Sequence, residues 1–252
     1  MPRKARRKSK TGIYHVMLRG INRHSIFESE NDKSRFISIV SEYRESEKFR
    51  VFGYCLMDNH THLLIQEGED DISTVVKRIS SSYVYWYNKK YERVGHLFQE
   101  RFKSECVEDE SYFLAVLRYI HQNPVKAGIV KSIDKYNWSS YGCYIKEIDI
   151  IDYKYGLSIF SENTSEAKSQ FIKYMSEESK ANFLDYDDFS KLTDAEVKRE
   201  ILSMGVNEIG DLKSIEKEKR NLILKELKGI KGVSIRQLSR ITGLSRTMIT
   251  EA

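Results

Sequence analysis

The sequence has few of the features that mark secreted, disulfide-bonded or membrane proteins. Its three cysteines, Cys55, Cys106 and Cys143, are odd in number and lack Cys-x-x-Cys spacing, so neither a disulfide framework nor a thiolate zinc site is expected. No apolar run approaches the length of a membrane span, and the basic N-terminus has no signal-peptide core. We therefore expect a cytoplasmic protein with reduced, structural cysteines and no membrane partner.

The net charge of +5 is unevenly distributed along the 252 residues. Residues 1–145 contain 24 Lys and Arg against 18 Asp and Glu, residues 146–213 contain 9 against 15, and residues 214–252 contain 9 against 4. These segments predict a first domain, an acidic helical linker and a small C-terminal module. Basic charge concentrated in two modules is typical of polyanion binding, although either surface could be an ordinary solvated one.

Apolar periodicity predicts an α+β first domain with the order strand, helix, strand, strand, helix, strand. The predicted elements are a strand over 13–18, a helix over 31–48 capped by Asn31 or Asp32, strands over 51–56 and 60–65, a helix over 72–91, and a strand region over 95–107 that includes 97–102. This is the order of a ferredoxin-like split βαβ fold with an antiparallel sheet, in which the first and third strands are central.

Two histidines lie in the third predicted strand. His60 and His62 are two residues apart and therefore point to the same face of the sheet. Neutral imidazole is the commonest protein ligand of divalent metals, so the pair indicates a metal site with ligands still missing. An isolated His-x-His is more often one core histidine and one solvated histidine, so this hypothesis requires partners from elsewhere in the chain.

A helix predicted over 109–123 supplies candidate partners. Tyr119 and Asn123 are four residues apart and face the same direction. Pro124 is expected to end the helix, leaving the Asn123 amide free to reach outward. A tyrosine on a helix is usually a core or interface residue, so this spacing alone does not indicate catalysis.

The two basic ends of the chain have different patterns. Six of the first ten residues are basic, which is typical of a mobile arm that becomes ordered on a phosphate backbone or of a solubilising tail. Residues 214–252 instead have the capping and turn residues of a helix-turn-helix, whose second helix would begin at Arg246 and Thr247. The supporting positions are a capping box at Ser234 and Gln237, a turn at Gly243 and a cap at Ser245. An αα-hairpin that only packs is the alternative.

Five ordered segments resemble the REP-associated tyrosine transposases, which are single-tyrosine HUH transposases of bacterial insertion sequences. The segments are 12–23, 57–64, 97–103, 118–128 and 138–141. The resemblance covers residues 1 to about 145. One departure is Thr61, between the histidines, where the family pattern has a bulky hydrophobic residue. Because residue 61 faces away from the histidine side of the strand, we expect little effect.

The resemblance implies a catalytic domain that nicks and joins single-stranded DNA through a 5′-phosphotyrosine intermediate. By motif, Tyr119 would be the nucleophile, and His60, His62 and Asn123 would bind Mg²⁺ or Mn²⁺. A phenol, with an ordinary pKa of about 10, is a weak nucleophile at neutral pH, so a metal that polarises the scissile phosphate fits this chemistry. The covalent link would conserve the phosphodiester, and a second 3′-OH could reseal it without ATP.

The resemblance also implies a DNA hairpin with flanking single strand as substrate. The candidate contacts are Arg3, Lys4, Arg6, Arg7, Arg19, Asn22, Arg23, Arg101 and Lys103, with Tyr14 or Tyr141 for base stacking. The C-terminal module would dock duplex DNA through Arg246 and Thr247. Both a monomer and a homodimer are compatible with the sequence. The alternatives are a non-catalytic sequence-specific DNA-binding regulator derived from a transposase and an HUH nickase of plasmid replication or mobilisation.

Overall fold

The first of two units in the chain is built on a four-stranded antiparallel sheet. The protein is described from a computed structural model, which covers residues 6–178, 183, 192, 194–230 and 233–252. The chain divides into residues 1–184 and 185–252. The strands are β1 (Ile13–Arg19), β2 (Arg50–Met57), β3 (His60–Gln66) and β4 (Lys103–Val107), in the spatial order β2-β3-β1-β4.

Six α-helices and two short 3-10 helices, Ile21–Arg23 and Ile133–Lys135, complete the described part of the first unit. Two of them, α1 (Glu30–Glu47) and α2 (Ile72–Lys90), connect β1 to β2 and β3 to β4, and they pack against each other. The other α-helices are α3 (Glu110–Lys126), α4 (Tyr141–Lys146), α5 (Tyr153–Ser158) and α6 (Thr164–Ser176). This confirms the predicted mixed fold with an antiparallel sheet, and β1 and β3 are central as the split βαβ order predicts.

Two boundaries differ from the sequence prediction. Ser29 is the N-cap of α1, and Asp32 is the third helical residue, which closes a capping box with Ser29. The predicted strand over 97–102 is also wrong: β4 begins at Lys103, and in this stretch Phe98 forms an isolated bridge to Gly20. This single bridge lies just beyond the end of β1, and residues 97–102 do not form a continuous strand with it.

The helix α3 does not end before Pro124, contrary to the prediction. It continues to Lys126, and the Ala127 N–H donates to the Asn123 carbonyl at 2.9 Å. Because proline has no backbone N–H, the helix lacks one hydrogen bond at Pro124. The helix tolerates this loss because Pro124 lies close to its C-terminal end. Asn123 therefore lies within the last turns of a helix and is buried, instead of reaching out from a helix terminus.

A glycine allows α3 to pack closely on the sheet. A Cβ atom built on Gly53 of β2 would lie 2.6 Å from Cδ1 of Leu117 on α3. Both positions are in the buried core of the first unit, where neighbouring side chains have little room to shift. This close approach brings the buried face of α3, including Tyr119, onto the sheet.

The acidic segment 146–213 is divided between the two units, which differs from the single linker expected from its charge. Phe171 on α6 stacks on Tyr144, with ring centroids 4.5 Å apart, and is fully buried. Leu157 and Met175 join the same core. Apolar residues at helical spacing lie among the charged residues of this segment. Burial of these apolar residues determines which core each part of the segment packs in.

The second unit contains four described helices with their own apolar core. They are α7 (Asp194–Ser203), α8 (Lys217–Gly229), α9 (Ile235–Thr242) and α10 (Arg246–Glu251). The Ser234 and Ser245 side chains cap α9 and α10, and Gly243 has a φ of 68° between them. Gln237 donates to Asp194 and to the Leu192 carbonyl, so the described contacts support the serine cap but not the reciprocal half of a capping box. No helix in the described ranges is long and apolar enough to cross a membrane.

Candidate active site

His60 and His62 lie on one face of a central strand, and each is held through its Nδ1 atom. In the β1–β3 register, His60 lies opposite Arg19 and His62 opposite Met17. The two imidazole rings are 5.1 Å apart between centroids. His60 Nδ1 is 2.6 Å from Asn59 Oδ1, and His62 Nδ1 is 3.0 Å from Nε2 of His15. Both Nε2 atoms are thus left for a third group.

That third group is the amide of Asn123. Its Oδ1 is 3.5 Å from His60 Nε2, and its Nδ2 is 3.3 Å from His62 Nε2. The helix α3 therefore places the amide against the same nitrogen of both imidazoles. Three side chains from two elements far apart in sequence meet here, as the metal hypothesis required.

Tyr119 lies beside the same cluster. Its ring is 5.5 Å from the His62 ring and 5.9 Å from the His15 ring, edge-on to both. Lys126, two turns further along α3, places its ammonium 5.0 Å from the centre of the Tyr119 ring. The tyrosine and the imidazoles come from one chain, so a second copy is not needed to bring them together.

Burial keeps His15 and His62 neutral. Burial lowers the pKa of His15 to about 3, and burial together with the neighbouring His60 and His15 lowers the pKa of His62 well below its usual value. A neutral imidazole offers a lone pair to a metal, whereas a protonated one does not. His62 is therefore in the protonation state that metal binding needs.

The donor set fits a divalent cation with open coordination positions. Two imidazole nitrogens and one amide oxygen suit Mn²⁺, and Mg²⁺ would rely more on phosphate and water oxygens. Within the described ranges, no group of three or more His, Cys, Asp or Glu side chains could hold a metal. The candidate centre thus depends on the amide as its third ligand.

The candidate DNA contacts of the N-terminal arm lie only partly within the described residues. Arg3 and Lys4 lie outside them. Arg6 places its guanidinium 3.6 Å from the centre of the Phe102 ring, and Arg7 pairs with Glu108 at 3.4 Å with 77% of its side chain exposed. Arg7 is therefore available to solvent, whereas Arg6 also packs against the protein.

The loop after β1 places exposed polar groups at the histidine end of the sheet. Asn22 and Arg23 are exposed, and both have left-handed backbone, with φ of 51° and 62°. Arg19 is buried opposite His60. Arg101 is exposed, and Lys103 is half-buried opposite Met17 on β1. These five predicted contacts therefore surround the β1 end at which His60 lies.

In the second unit, Arg246 and Thr247 are exposed in the first turn of α10, as the helix-turn-helix pattern predicts for a second helix. The aromatic residues expected to stack on bases are placed differently. Tyr14 is 1% exposed and Tyr141 is 8% exposed, with Tyr141 stacked on Phe171. Stacking on a base needs an exposed ring face, which both rings lack, so the expectation that they are available to bases is wrong.

Thr61 shows why the departure between the histidines is compatible with the fold. Its side chain is buried on the opposite face of β3, and its hydroxyl donates to the Cys55 carbonyl at 3.2 Å. A buried hydroxyl that has a hydrogen-bond acceptor avoids the cost of an unsatisfied polar group.

Sequence reasoning missed His15 and Lys126. His15 is on the same face of β1 as Met17 and Arg19, and this face meets the histidine face of β3 once the strand order and register are known. Lys126 was excluded by the expected end of the helix at Pro124. A period-two reading of β1 together with the sheet order would have indicated His15.

Residues 8–123 match the family model described as Transposase IS200 like. A protein of Haemophilus influenzae, named as a REP-associated tyrosine transposase, is 27% identical over 141 residues, which are 48% of this chain and 80% of that protein. A solved structure of a REP-associated tyrosine transposase bound to a REP hairpin aligns with a TM-score of 0.51 and 19% identity, covering 58% of this chain and 86% of that one.

Over residues 8–123 the first unit is thus similar to the IS200-like transposases. The chain is also similar to a REP-associated tyrosine transposase, which confirms the resemblance inferred from the motifs. The match ends at Asn123, so it does not extend to the second unit.

Proposed function

We propose that the first unit is a metal-dependent enzyme that nicks single-stranded DNA at hairpin or repeat sequences and transfers the strand through a 5′-phosphotyrosine intermediate. The observation that carries this proposal is the meeting of Tyr119 with His62 and Asn123 on one sheet face. The match of residues 8–123 to the IS200-like transposase model supports the same class of reaction. The hairpin is proposed as substrate because a structurally similar transposase was solved bound to one.

In the proposed reaction, Tyr119 attacks a backbone phosphate with its phenolic oxygen. The new bond joins that oxygen to phosphorus, the bond to the 3′-oxygen breaks, and the phenolic proton passes to solvent while the released oxygen ends as a 3′-OH. His60, His62 and Asn123 would hold Mg²⁺ or Mn²⁺, which would supply positive charge to the phosphate oxygens. The attack of another 3′-OH reverses the step and restores a phosphodiester.

Charged side chains near the cluster support a polyanionic substrate. Lys126 holds positive charge 5.0 Å from the centre of the ring of Tyr119, the residue to which the transferred phosphate would be bonded. Exposed Arg23 and Arg101, with Arg19 and Lys103 nearer the sheet, would contact the DNA backbone. Asn22 would contact a base or a phosphate from the same loop.

We further propose that α9 and α10 form a helix-turn-helix that docks duplex DNA. The two serine caps and the left-handed Gly243 between the helices support this geometry. Arg246 and Thr247 are exposed at the N-terminal end of α10, which is the end that contacts base edges in such motifs.

A covalent-adduct assay tests the enzymatic proposal. The full chain is incubated with a pool of hairpin oligonucleotides with randomised single-stranded flanks, in Mg²⁺ or Mn²⁺, and protein-linked DNA is detected on denaturing gels. We expect a band that EDTA and Tyr119→Phe both abolish, while Tyr119→Phe retains DNA binding. The matched control is Tyr112→Phe, since Tyr112 lies on the same helix and also contacts Phe183.

The outcomes separate the candidate functions. A band that persists in Tyr119→Phe contradicts the assignment of the nucleophile. Tight DNA binding without a band in either metal favours the non-catalytic regulator, which the basic segment 214–252 supports.

A further inference from the structure

His15 forms the innermost contact of the histidine cluster and has no part in the reaction proposed above. It is fully buried on β1, and its Nε2 is 3.0 Å from His62 Nδ1. The two rings stack with centroids 5.2 Å apart and an interplanar angle of 30°. Burying a second imidazole against a first costs free energy unless its polar atoms are used, so this contact requires a function.

Either ring can donate the proton in the hydrogen bond between His15 and His62, and the two cases differ in whether His62 can bind a metal. If His62 donates its Nδ1–H to His15 Nε2, then His62 Nε2 carries a lone pair toward Asn123. If His15 donates instead, the remaining proton of neutral His62 is on Nε2, which then cannot bind a metal. The direction of this one hydrogen bond therefore determines whether His62 can be a ligand.

The partner ligand His60 shows the same arrangement with a simpler acceptor. Its Nδ1 is 2.6 Å from Asn59 Oδ1, and its Nε2 faces the Asn123 amide. In both histidines, the nitrogen away from the candidate metal position is held by a neighbouring polar group. Such partners fix the tautomer and ring orientation of metal-binding histidines in general.

The Asn123 amide favours the tautomer that a metal needs. Its Nδ2 lies 3.3 Å from His62 Nε2, and an amide nitrogen only donates, so His62 Nε2 accepts and the ring proton of His62 lies on Nδ1. That proton faces His15 Nε2 at 3.0 Å.

We propose that His15 is a positioning residue that accepts the Nδ1 proton of His62 and thereby keeps the Nε2 lone pair of His62 directed at the metal. This proposal rests on the proposed metal site. It gives a residue of β1 the function of orienting a metal ligand, whereas β3 and α3 supply the ligands themselves. A side chain without an acceptor at position 15 leaves the His62 tautomer unfixed.

The test compares His15→Phe with His15→Gln in the full chain. Phenylalanine keeps an aromatic ring but has no acceptor, whereas the amide oxygen of glutamine can approach the position of His15 Nε2. We expect His15→Phe to weaken Mn²⁺ binding by about 10- to 100-fold, measured as free Mn²⁺ by electron paramagnetic resonance, and His15→Gln to restore much of it.

His121→Phe is the matched control. His121 is also fully buried, and its Nε2 is 2.9 Å from Ser140 Oγ, away from His62. It should bind Mn²⁺ like the wild type, with thermal unfolding showing that all variants are folded. Equal loss of Mn²⁺ binding in His121→Phe, or wild-type binding in a folded His15→Phe, would overturn the proposal.

A second measurement does not depend on the metal. Long-range ¹H–¹⁵N spectra of the metal-free protein report which nitrogen of His62 carries the proton. We expect Nδ1 in the wild type and in His15→Gln, and a shift toward Nε2 in His15→Phe. If the wild type has its proton on Nε2, the proposal fails, whereas absent Mn²⁺ binding with the proton on Nδ1 would count against the proposed function alone.

Discussion

The two units of this protein differ in what they bury. The first unit buries several polar side chains together with its apolar core, among them His15, His62, His121 and Asn123. In the described part of the second unit, Thr242 is the buried polar residue, and its hydroxyl donates to the Leu238 carbonyl within its own helix. Burying an imidazole or an amide costs free energy unless its polar atoms are hydrogen-bonded, and among the described residues this cost falls mainly on the first unit.

Substituting the histidines of β3 is the most direct test of this difference between the two units. We expect His60→Ala and His62→Ala each to reduce covalent adduct by at least about 100-fold, because each would remove a metal ligand. His62→Ala should also lower the free energy of unfolding by about 2–4 kcal/mol, because it leaves a cavity in the core, whereas half-buried His60 should cost less. Adduct yield and urea unfolding measure the two effects.

The control for these substitutions is His96→Ala, at an exposed histidine of the same unit. It should retain both adduct formation and stability. An adduct in His60→Ala as abundant as in His96→Ala would remove the basis for a metal-dependent site.

Truncation of the two cores tests whether the units behave differently. Leu117 on α3 and Leu224 on α8 are both fully buried, one in each core. We expect Leu117→Ala and Leu224→Ala each to destabilise the unit that contains it by about 2–5 kcal/mol. Hydrogen exchange should show faster exchange in that unit. Equal acceleration throughout the chain in both variants would contradict two separate cores.

Acid should affect the first unit before the second, since all six histidines lie in the first. Burial lowers the pKa of His121 from 6.5 to about 3, so between these values the unfolded chain binds a proton that the folded chain does not. The free energy of unfolding should therefore fall as pH decreases below about 6.5, by about 1.4 kcal/mol per pH unit for this residue.

Unfolding of wild type and His121→Gln between pH 7 and 5 measures this contribution. Glutamine keeps a polar group near Ser140 but does not titrate, so the variant should lose stability less steeply. Parallel curves would show that His121 does not cause the pH dependence.

The smallest expected effect concerns the surface of the second unit. Arg246→Ala should weaken duplex DNA binding by about 1 kcal/mol and reduce the slope of log affinity against log salt by about 1, if Arg246 contacts a phosphate. Arg246→Lys keeps the charge and should retain most of the affinity. Unchanged duplex affinity and salt slope in Arg246→Ala would count against docking through α10.

The sequence predicted the parts of the site that have local periodicity. The alternation of His60 and His62 was sufficient to place both on one face, and the spacing of Tyr119 and Asn123 was sufficient to place both toward one neighbour. The order of elements predicted that β1 and β3 would be adjacent. Motif resemblance then linked the strand to the helix before any contact was known.

Other features depended on contacts that no local pattern contains. The helix α3 passes through Pro124, and Tyr14 and Tyr141 are buried although their positions allowed exposure. The acidic segment is divided between two cores because apolar burial outweighs its net charge. In each case, tertiary packing outweighed the conformation or exposure that the local sequence favours.

The sequence alone predicted the order of strands and helices, the shared face of His60 and His62, and the family resemblance of the first unit, because periodicity and motifs are properties of neighbouring residues. Only the tertiary structure shows that His15 contacts His62 and that the Tyr119 ring lies beside the imidazoles of the same chain. These contacts depend on sheet register and on the close approach of α3 at Gly53, which are set when the whole core packs.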